Sequence, residues 1–308
     1  MSTATDNNIM TMCANCGKGE EGSDCLKACA ACMMVKYCNR NCQIAHRPQH
    51  KKACKKRAAE LHEEALFKEP PPPEDCPICF LPLPLDAGTS NFYPCCGKII
   101  CNGCICEMFK EARGRGKIDL CAFCREPPSN SYEEEVERTQ KLMEAKNAYA
   151  FYVLGGYYED GFGGLERDLS KANELYRSAG ELGCAKGYYN LGYSYDIGRG
   201  VEIDKKKAIH FYELAAMNGE VQARHNLGCM EGRSGNKHRA CKHFILSARA
   251  GHKKSLDGVK AGFMMGIVTK EEYANTLRTY QQRHGEMKCD DRDEAQRWKE
   301  ARAKLSEM

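Results

Sequence analysis

A mainly α-helical chain is predicted, with two small cysteine-built modules in front of a solenoid of helical hairpins. Two observations predict it. Of the 21 cysteines in 308 residues, 17 lie between Cys13 and Cys124. The later part repeats itself: Leu154-Gly155 recurs as Leu191-Gly192 and Leu227-Gly228, at offsets of 37 and 36. The sequence is 42% hydrophobic and 29% charged, with mean hydropathy −0.61. No stretch approaches the 18 or more apolar residues of a membrane span, and MSTATDNNIMTM lacks the basic start and apolar run of a secretory signal. The expected setting is therefore intracellular, cytoplasmic or nuclear, where clustered cysteines serve as metal thiolates rather than disulfides.

The formal charge of +4 counts every cysteine as neutral. Fifteen thiolates set against the eight positive charges of four divalent ions lower it by seven, to about −3. The runs Lys51-Lys52, Lys55-Lys56-Arg57 and Lys205-Lys206-Lys207 read as solvated helix faces. No DNA-reading motif accompanies them, so neither a nucleic acid nor a membrane is an expected partner.

Composition divides the chain further. Residues 1–12 form a disordered N-terminus and 13–54 a first cysteine block. Residues 55–73 follow as a charged helix, with Leu61, Ala65 and Leu66 at helical spacing, ended by the extended spacer Pro70–Pro73. A second cysteine block spans 74–130, a connecting helix 131–147, the repeats 148–253 and a helical cap 254–308.

In the repeats, Ala172 recurs as Ala208 and Ala240, and SAGELG, LAAMNG and SARAGH close the units. Stacked helical hairpins explain this period. Gly161, Gly163, Gly198 and Gly200 mark turns that need positive φ. The units resemble Sel-one-like repeats, relatives of the tetratricopeptide hairpin; AKGYYNLGYSYDIGRGVEIDKKKAIHFYELAAMNG fits best, and the third unit has lost about four turn residues. Asn190 and Asn226 read as satisfied repeat residues. Cys184, Cys229 and Cys241 read as buried inert thiols rather than partners of His225, His238 or His243.

Zinc takes four soft or borderline ligands in a tetrahedron. The first block offers the pairs Cys13/Cys16, Cys29/Cys32, Cys38/Cys42 and His50/Cys54, the last two spaced i and i+4. Order and spacing resemble the MYND zinc finger, including Tyr37 before Cys38 and the run CQIAHRPQHKKAC. The resemblance implies interleaved sites, with Cys13, Cys16, Cys38 and Cys42 on one zinc and Cys29, Cys32, His50 and Cys54 on the other. It leaves His46 and Cys25 outside. MYND fingers take proline-rich peptides, but Arg47 stands where the family usually has Trp, which puts the proline preference in question. The family also occurs fused to SET methyltransferases; the helical repeats here do not fit that β-rich fold.

The second block offers Cys76/Cys79, Cys101/Cys104, Cys121/Cys124 and the adjacent Cys95 and Cys96. It resembles a RING finger in an all-cysteine version. The resemblance implies Cys76, Cys79, Cys101 and Cys104 on one zinc and Cys95, Cys96, Cys121 and Cys124 on the other, or Cys106 replacing one of the adjacent pair. It also implies that Ile78 and Arg125 contact a ubiquitin-conjugating enzyme, with Phe109 on the helix between; Ala122 stands where the family has Pro. Two functions follow as expectations. One is a zinc-binding protein-interaction adaptor acting as a ubiquitin ligase, with no nucleophile of its own and repeats that bind clients. The other is a non-enzymatic scaffold with purely structural zinc.

Overall fold

The computed structural model describes residues 12–19, 26–86, 88–114 and 120–306, so Cys25 lies outside the described residues. Two compact units divide the chain, Met1–Lys68 and Glu69–Met308.

In the first unit, β1 (Lys27–Ala28) pairs antiparallel with β2 (Lys36–Tyr37), and α1 spans Arg40–Leu66. The Asn39 side chain opens α1 by accepting the Cys42 N–H at 2.9 Å. Its buried cluster is Cys13, Leu26, Cys29, Cys32 and Tyr37. Three of those five are cysteines, so thiols rather than aliphatic side chains make up most of that cluster.

The second unit begins with the hairpin of β3 (Ser90–Tyr93) and β4 (Lys98–Cys101), followed directly by α2 (Asn102–Gly114). After α3 (Tyr132–Glu144) come three hairpins. They are α4 (Ala148–Asp160) with α5 (Leu169–Glu181), α6 (Ala185–Ile197) with α7 (Lys205–Met217), and α8 (Val221–Arg233) with α9 (Lys237–Arg249). Then follow α10 (Lys253–Met264), α11 (Lys270–Glu286) and α12 (Asp290–Ser306). The fold is thus mainly α, with cysteine-built modules ahead of tandem helical repeats, as the sequence predicts.

The repeated Leu-Gly has a packing cause. A Cβ on Gly155, Gly192 or Gly228 would come within 2.6–2.8 Å of the ring of Tyr176, Tyr212 or Phe244. Each glycine lets the aromatic ring of the second helix press onto the backbone of the first. Gly258 continues the pattern on α10, against the other edge of Phe244, so α10 stacks as one more first helix. The turns repeat too. Gly161 and Gly198 end α4 and α6 in the left-handed region, with φ of 71° and 80°. The Asp168 and Asp204 side chains cap α5 and α7. The shortened third turn is only Ser234–Asn236.

Beyond the solenoid, α11 starts with a capping box of Thr269 and Glu272. Helix α12 turns back to lie along α2. Gly103 makes that approach possible, since a Cβ there would meet the Arg292 backbone N at 2.8 Å. The Lys110–Glu294 ion pair, 2.7 Å, closes the same contact.

His243 on α9 is fully buried. Burial, then the charges of Arg224, Arg239 and Lys242, hold its pKa down at about 3. The unfolded chain protonates this histidine near 6.5. Its contribution is therefore complete above pH 6.5 and is lost as pH falls from there towards 3. At pH 5 the loss amounts to about 2 kcal/mol. Denaturant titrations followed by helical circular dichroism at pH 7.5 and 5 should show this. The pH-dependent loss should be smaller by about that amount in His243→Phe.

Candidate metal centres

Ligand-type side chains gather into four groups of four among the described residues, and within each group the ligand atoms all lie within 4.8 Å of one another. The groups are Cys13, Cys16, Cys38, Cys42; Cys29, Cys32, His50, Cys54; Cys76, Cys79, Cys101, Cys104; and Cys95, Cys96, Cys121, Cys124. These are the sets that the sequence resemblances imply. Cys106 belongs to none of them. His46 stands one turn from His50, its ring stacked on that of His50 with centroids 5.5 Å apart and its Nδ1 hydrogen-bonded to the Tyr37 hydroxyl at 3.0 Å.

All described cysteines are free thiols. Their spacing suits a shared ion. Sulfurs 2.3 Å from a tetrahedral zinc stand about 3.8 Å apart, against about 2.05 Å in a disulfide. Here Cys16 and Cys38 are separated by 3.7 Å, Cys29 and Cys54 by 3.7 Å, Cys76 and Cys104 by 3.8 Å, Cys79 and Cys101 by 3.8 Å, and Cys96 and Cys121 by 3.6 Å. His50 Nε2 stands 3.1 Å from Cys32 Sγ. The donors are those zinc prefers, and four per group is the number that a closed structural site uses.

The same local turn builds one corner of each group. In Cys13–Cys16, Cys29–Cys32, Cys76–Cys79 and Cys121–Cys124, the residue after the second cysteine donates its N–H to the carbonyl of the first. Those bonds are Gly17 to Cys13 (2.9 Å), Met33 to Cys29 (2.9 Å), Phe80 to Cys76 (2.8 Å) and Arg125 to Cys121 (3.1 Å). Each donor sits in the left-handed region, with φ of 72°, 57°, 56° and 60°. Only the first is glycine.

The turn also aims amide groups at the first sulfur. Burial works against ionising Cys13, yet the amides of Cys16, Cys38 and Asn15 outweigh it and hold the thiol at about 6. Burial is likewise overcome at Cys29, at about 6, by amides of Ala31 and Cys32 and by His50. Cys76 and Cys121 are held at about 7 in the same way. Each group thus contains one thiol poised to become the thiolate that a metal requires.

Consecutive side chains diverge along a strand, but Cys95 and Cys96 do not lie in one. They occupy the tight turn of the β3–β4 hairpin, where the N–H groups of Cys96 and Gly97 both point to the Tyr93 carbonyl, at 3.2 and 2.8 Å. Gly97, with φ of 71°, completes the bend. The turn lets both thiols face Cys121 and Cys124.

Ile78 is half-buried against the cluster of Cys76, Ile100, Cys101, Cys104 and Ile105. Arg125 is exposed, and Phe109 on α2 is partly so. One participant had no signal in the sequence. Arg292 of α12, 9% exposed, donates to Cys79 Sγ at 3.4 Å and to the carbonyls of Leu81 (3.3 Å), Pro82 (2.7 Å) and Met287 (2.8 Å). It ties the first knuckle of the second module to a helix more than two hundred residues away.

In the repeats, Cys229 lies 3.6 Å from His225 Nε2, and the His225 Nδ1 meets Ser255 Oγ at 2.9 Å. Burial pushes the Cys229 thiol up and the His225 imidazole down. Both groups are thereby kept neutral, the opposite of an activated nucleophile. Asn190 of the second repeat hydrogen-bonds the Tyr176 hydroxyl of the first.

Comparison with known proteins fits this layout. Residues 13–54 match the family model of the MYND finger, and residues 148–184, 185–220 and 221–252 match the Sel1 repeat. The chain carries one MYND finger and three Sel1 repeats. An uncharacterized protein of Neisseria meningitidis serogroup B is 34% identical over 95 residues, which are 31% of this chain and 20% of that protein. Chitin synthase regulatory factor 3 of Schizosaccharomyces pombe is 26% identical over 161 residues, 47% of this chain and 17% of that protein. The chain therefore spans about a fifth or less of the length of these curated relatives. Among solved structures, a Sel1 repeat protein from Oxalobacter formigenes is 22% identical, covers 61% of this chain and 73% of its own, and superposes with a TM-score of 0.42. No helix among the described residues is long and apolar enough to cross a membrane.

Phe80 is 76% exposed and holds φ of 56° at a cost that glycine would not bear. Phe80→Gly should raise the stability of the zinc-loaded protein by about 0.5–1 kcal/mol. A higher denaturation midpoint with an unchanged m-value would show it.

Proposed function

We propose that this chain is a zinc-stabilised protein-interaction adaptor that works as a RING-type ubiquitin ligase, with the repeats and the MYND finger holding the client. The observation that carries the proposal is the alternation of ligand groups in the second module, where Cys76/Cys79 converge with Cys101/Cys104 and Cys95/Cys96 with Cys121/Cys124. That cross-brace sets Ile78 and Arg125 on two separate knuckles.

Zinc bound there would neutralise and hold together the thiolates, a structural role. The chain's own residues would do the rest. Ile78, apolar and half-exposed, offers a seat for a ubiquitin-conjugating enzyme. The exposed Arg125 guanidinium has five donors for carbonyls on that enzyme and on its ubiquitin. Arg125 keeps a side chain at φ of 60°, where the backbone alone favours glycine. Acceleration would come from holding the thioester in a reactive pose for a client amine, with no nucleophile supplied by this chain.

A second reading has its own support. The second module is not a free-standing bead: α12 grips it through Arg292, Lys110–Glu294 and a 3.2 Å hydrogen bond from Lys299 to the Gly88 carbonyl. A module built into a solenoid in this way suits a scaffold whose zinc is only structural.

Native mass spectrometry should find about four zinc ions per chain. Cys106→Ser should keep all of them, whereas Cys95→Ser should lose one. The functional test is ubiquitin discharge from a panel of charged conjugating enzymes by the full zinc-loaded chain. Acceleration is expected, falling by about tenfold or more in Ile78→Ala and in Arg125→Ala at unchanged zinc content. No acceleration across the panel, with zinc fully bound, would favour the scaffold.

A further inference from the structure

The proline-rich segment between the two modules does not hang in solvent. It lies along the repeats. Glu69 pairs with Arg249 at the end of α9, at 2.9 Å, and its charge also acts on the buried Arg224 of α8. Pro71 sits over the turn before α8, so close that a Cβ on Gly219 would meet its Cγ at 3.3 Å. Glu74 then acts on Cys184 and Tyr149, at the starts of α6 and α4. The strap therefore runs from the third repeat back towards the first.

The helix starts towards which the strap runs carry aromatic rings and a cation. The Tyr149 and Tyr152 rings stand 5.1 Å apart, and Lys186 Nζ donates to the Tyr149 hydroxyl at 3.2 Å. Tyrosine faces take prolyl rings, while cations beside them take flanking carboxylates. The hold on the strap is nevertheless light ahead of Glu74, whose carbonyl accepts the Leu83 N–H at 2.8 Å. Pro70 to Pro73 have no N–H to donate. The Glu69 carboxylate is 66% exposed and Arg249 32% exposed, so their attraction is screened by water.

We propose that this face of the repeats is a recognition site for an extended peptide of another protein, a proline run flanked by carboxylates, and that Glu69–Asp75 is its occupant in cis. The proposal rests on the adaptor reading of the repeats and names the chemistry of the client segment. A tethered competitor acts at an effective concentration near millimolar. A client segment must therefore bring further contacts to displace it, which keeps the site closed to weak ligands.

The test is fluorescence polarisation of a labelled peptide of residues 68–75, KEPPPPED, with the full zinc-loaded chain. A chain loosened by Glu69→Arg and Glu74→Arg should bind the peptide about tenfold more tightly than wild type. Adding Arg249→Glu to the loosened chain, or replacing the peptide's prolines with glycines, should abolish the gain. A folded loosened chain that binds no better than wild type overturns the proposal, as does a gain that survives Arg249→Glu. If the double variant does not fold, Glu69→Gln alone should give a severalfold gain, and no gain there also overturns it. Ubiquitin discharge is read from the cysteine module, so a chain that discharges ubiquitin and ignores the peptide fails this inference alone.

Discussion

The pressing of an aromatic ring onto a glycine backbone, at Tyr176 on Gly155, Tyr212 on Gly192 and Phe244 on Gly228, sets the architecture of the larger unit. It brings the two helices of a hairpin together at one repeating distance, and so it lines up the first turns of α4, α6, α8 and α10 in a row. Much of the second module uses that row. The Asn147 side chain abuts Gly97, the Phe92 ring packs tilted against Tyr149 with centroids 5.3 Å apart, Pro71 covers Gly219, and Leu85 reaches Gly251. A bulkier residue at any of the three glycines would shift a helix start and, through it, the platform beneath the cysteines.

The cysteine modules obey a different economy. Their buried clusters are largely thiols, and a handful of apolar residues such as Leu26, Ile100 and Ile105 cannot by themselves offset the entropy of ordering the chain. Four converging ligands in each group supply the missing cohesion when a metal neutralises them. The knuckle geometry prepares for this. Its left-handed fifth residue lets two amides point at one sulfur, so part of the work of forming a thiolate is done by the backbone.

Much of this was legible in the sequence because it is local. Cys-x-x-Cys spacing fixes a turn, and i, i+4 spacing aligns Cys42, His50 and Cys54 on α1. A period near 36 announces stacked hairpins, and the three Leu-Gly steps mark the close contacts. Non-local features left no such trace. Nothing around Arg292 distinguishes it from its neighbours Asp291 and Asp293 in a charged helix, yet it alone reaches a cysteine of the second module. The proline run reads as a spacer, since proline lacks the donors by which most docked segments announce themselves; only the fold reveals that Glu69 has an arginine waiting. Consecutive side chains tend to diverge, and the turn that makes Cys95 and Cys96 converge is closed by Gly97 with its φ of 71°.

The bond from Arg292 to Cys79 spans 213 residues of sequence. On a ribosome adding 5–20 residues per second, α12 emerges roughly 10–40 s after the first knuckle of the second module. During that interval the nascent module has its ligands but neither the row of helix starts beneath it nor the arginine beside it. The ligands of the module are therefore in place early, and its docking comes late. Helix α12 acts as a latch, thrown only once the solenoid that precedes it has been synthesised.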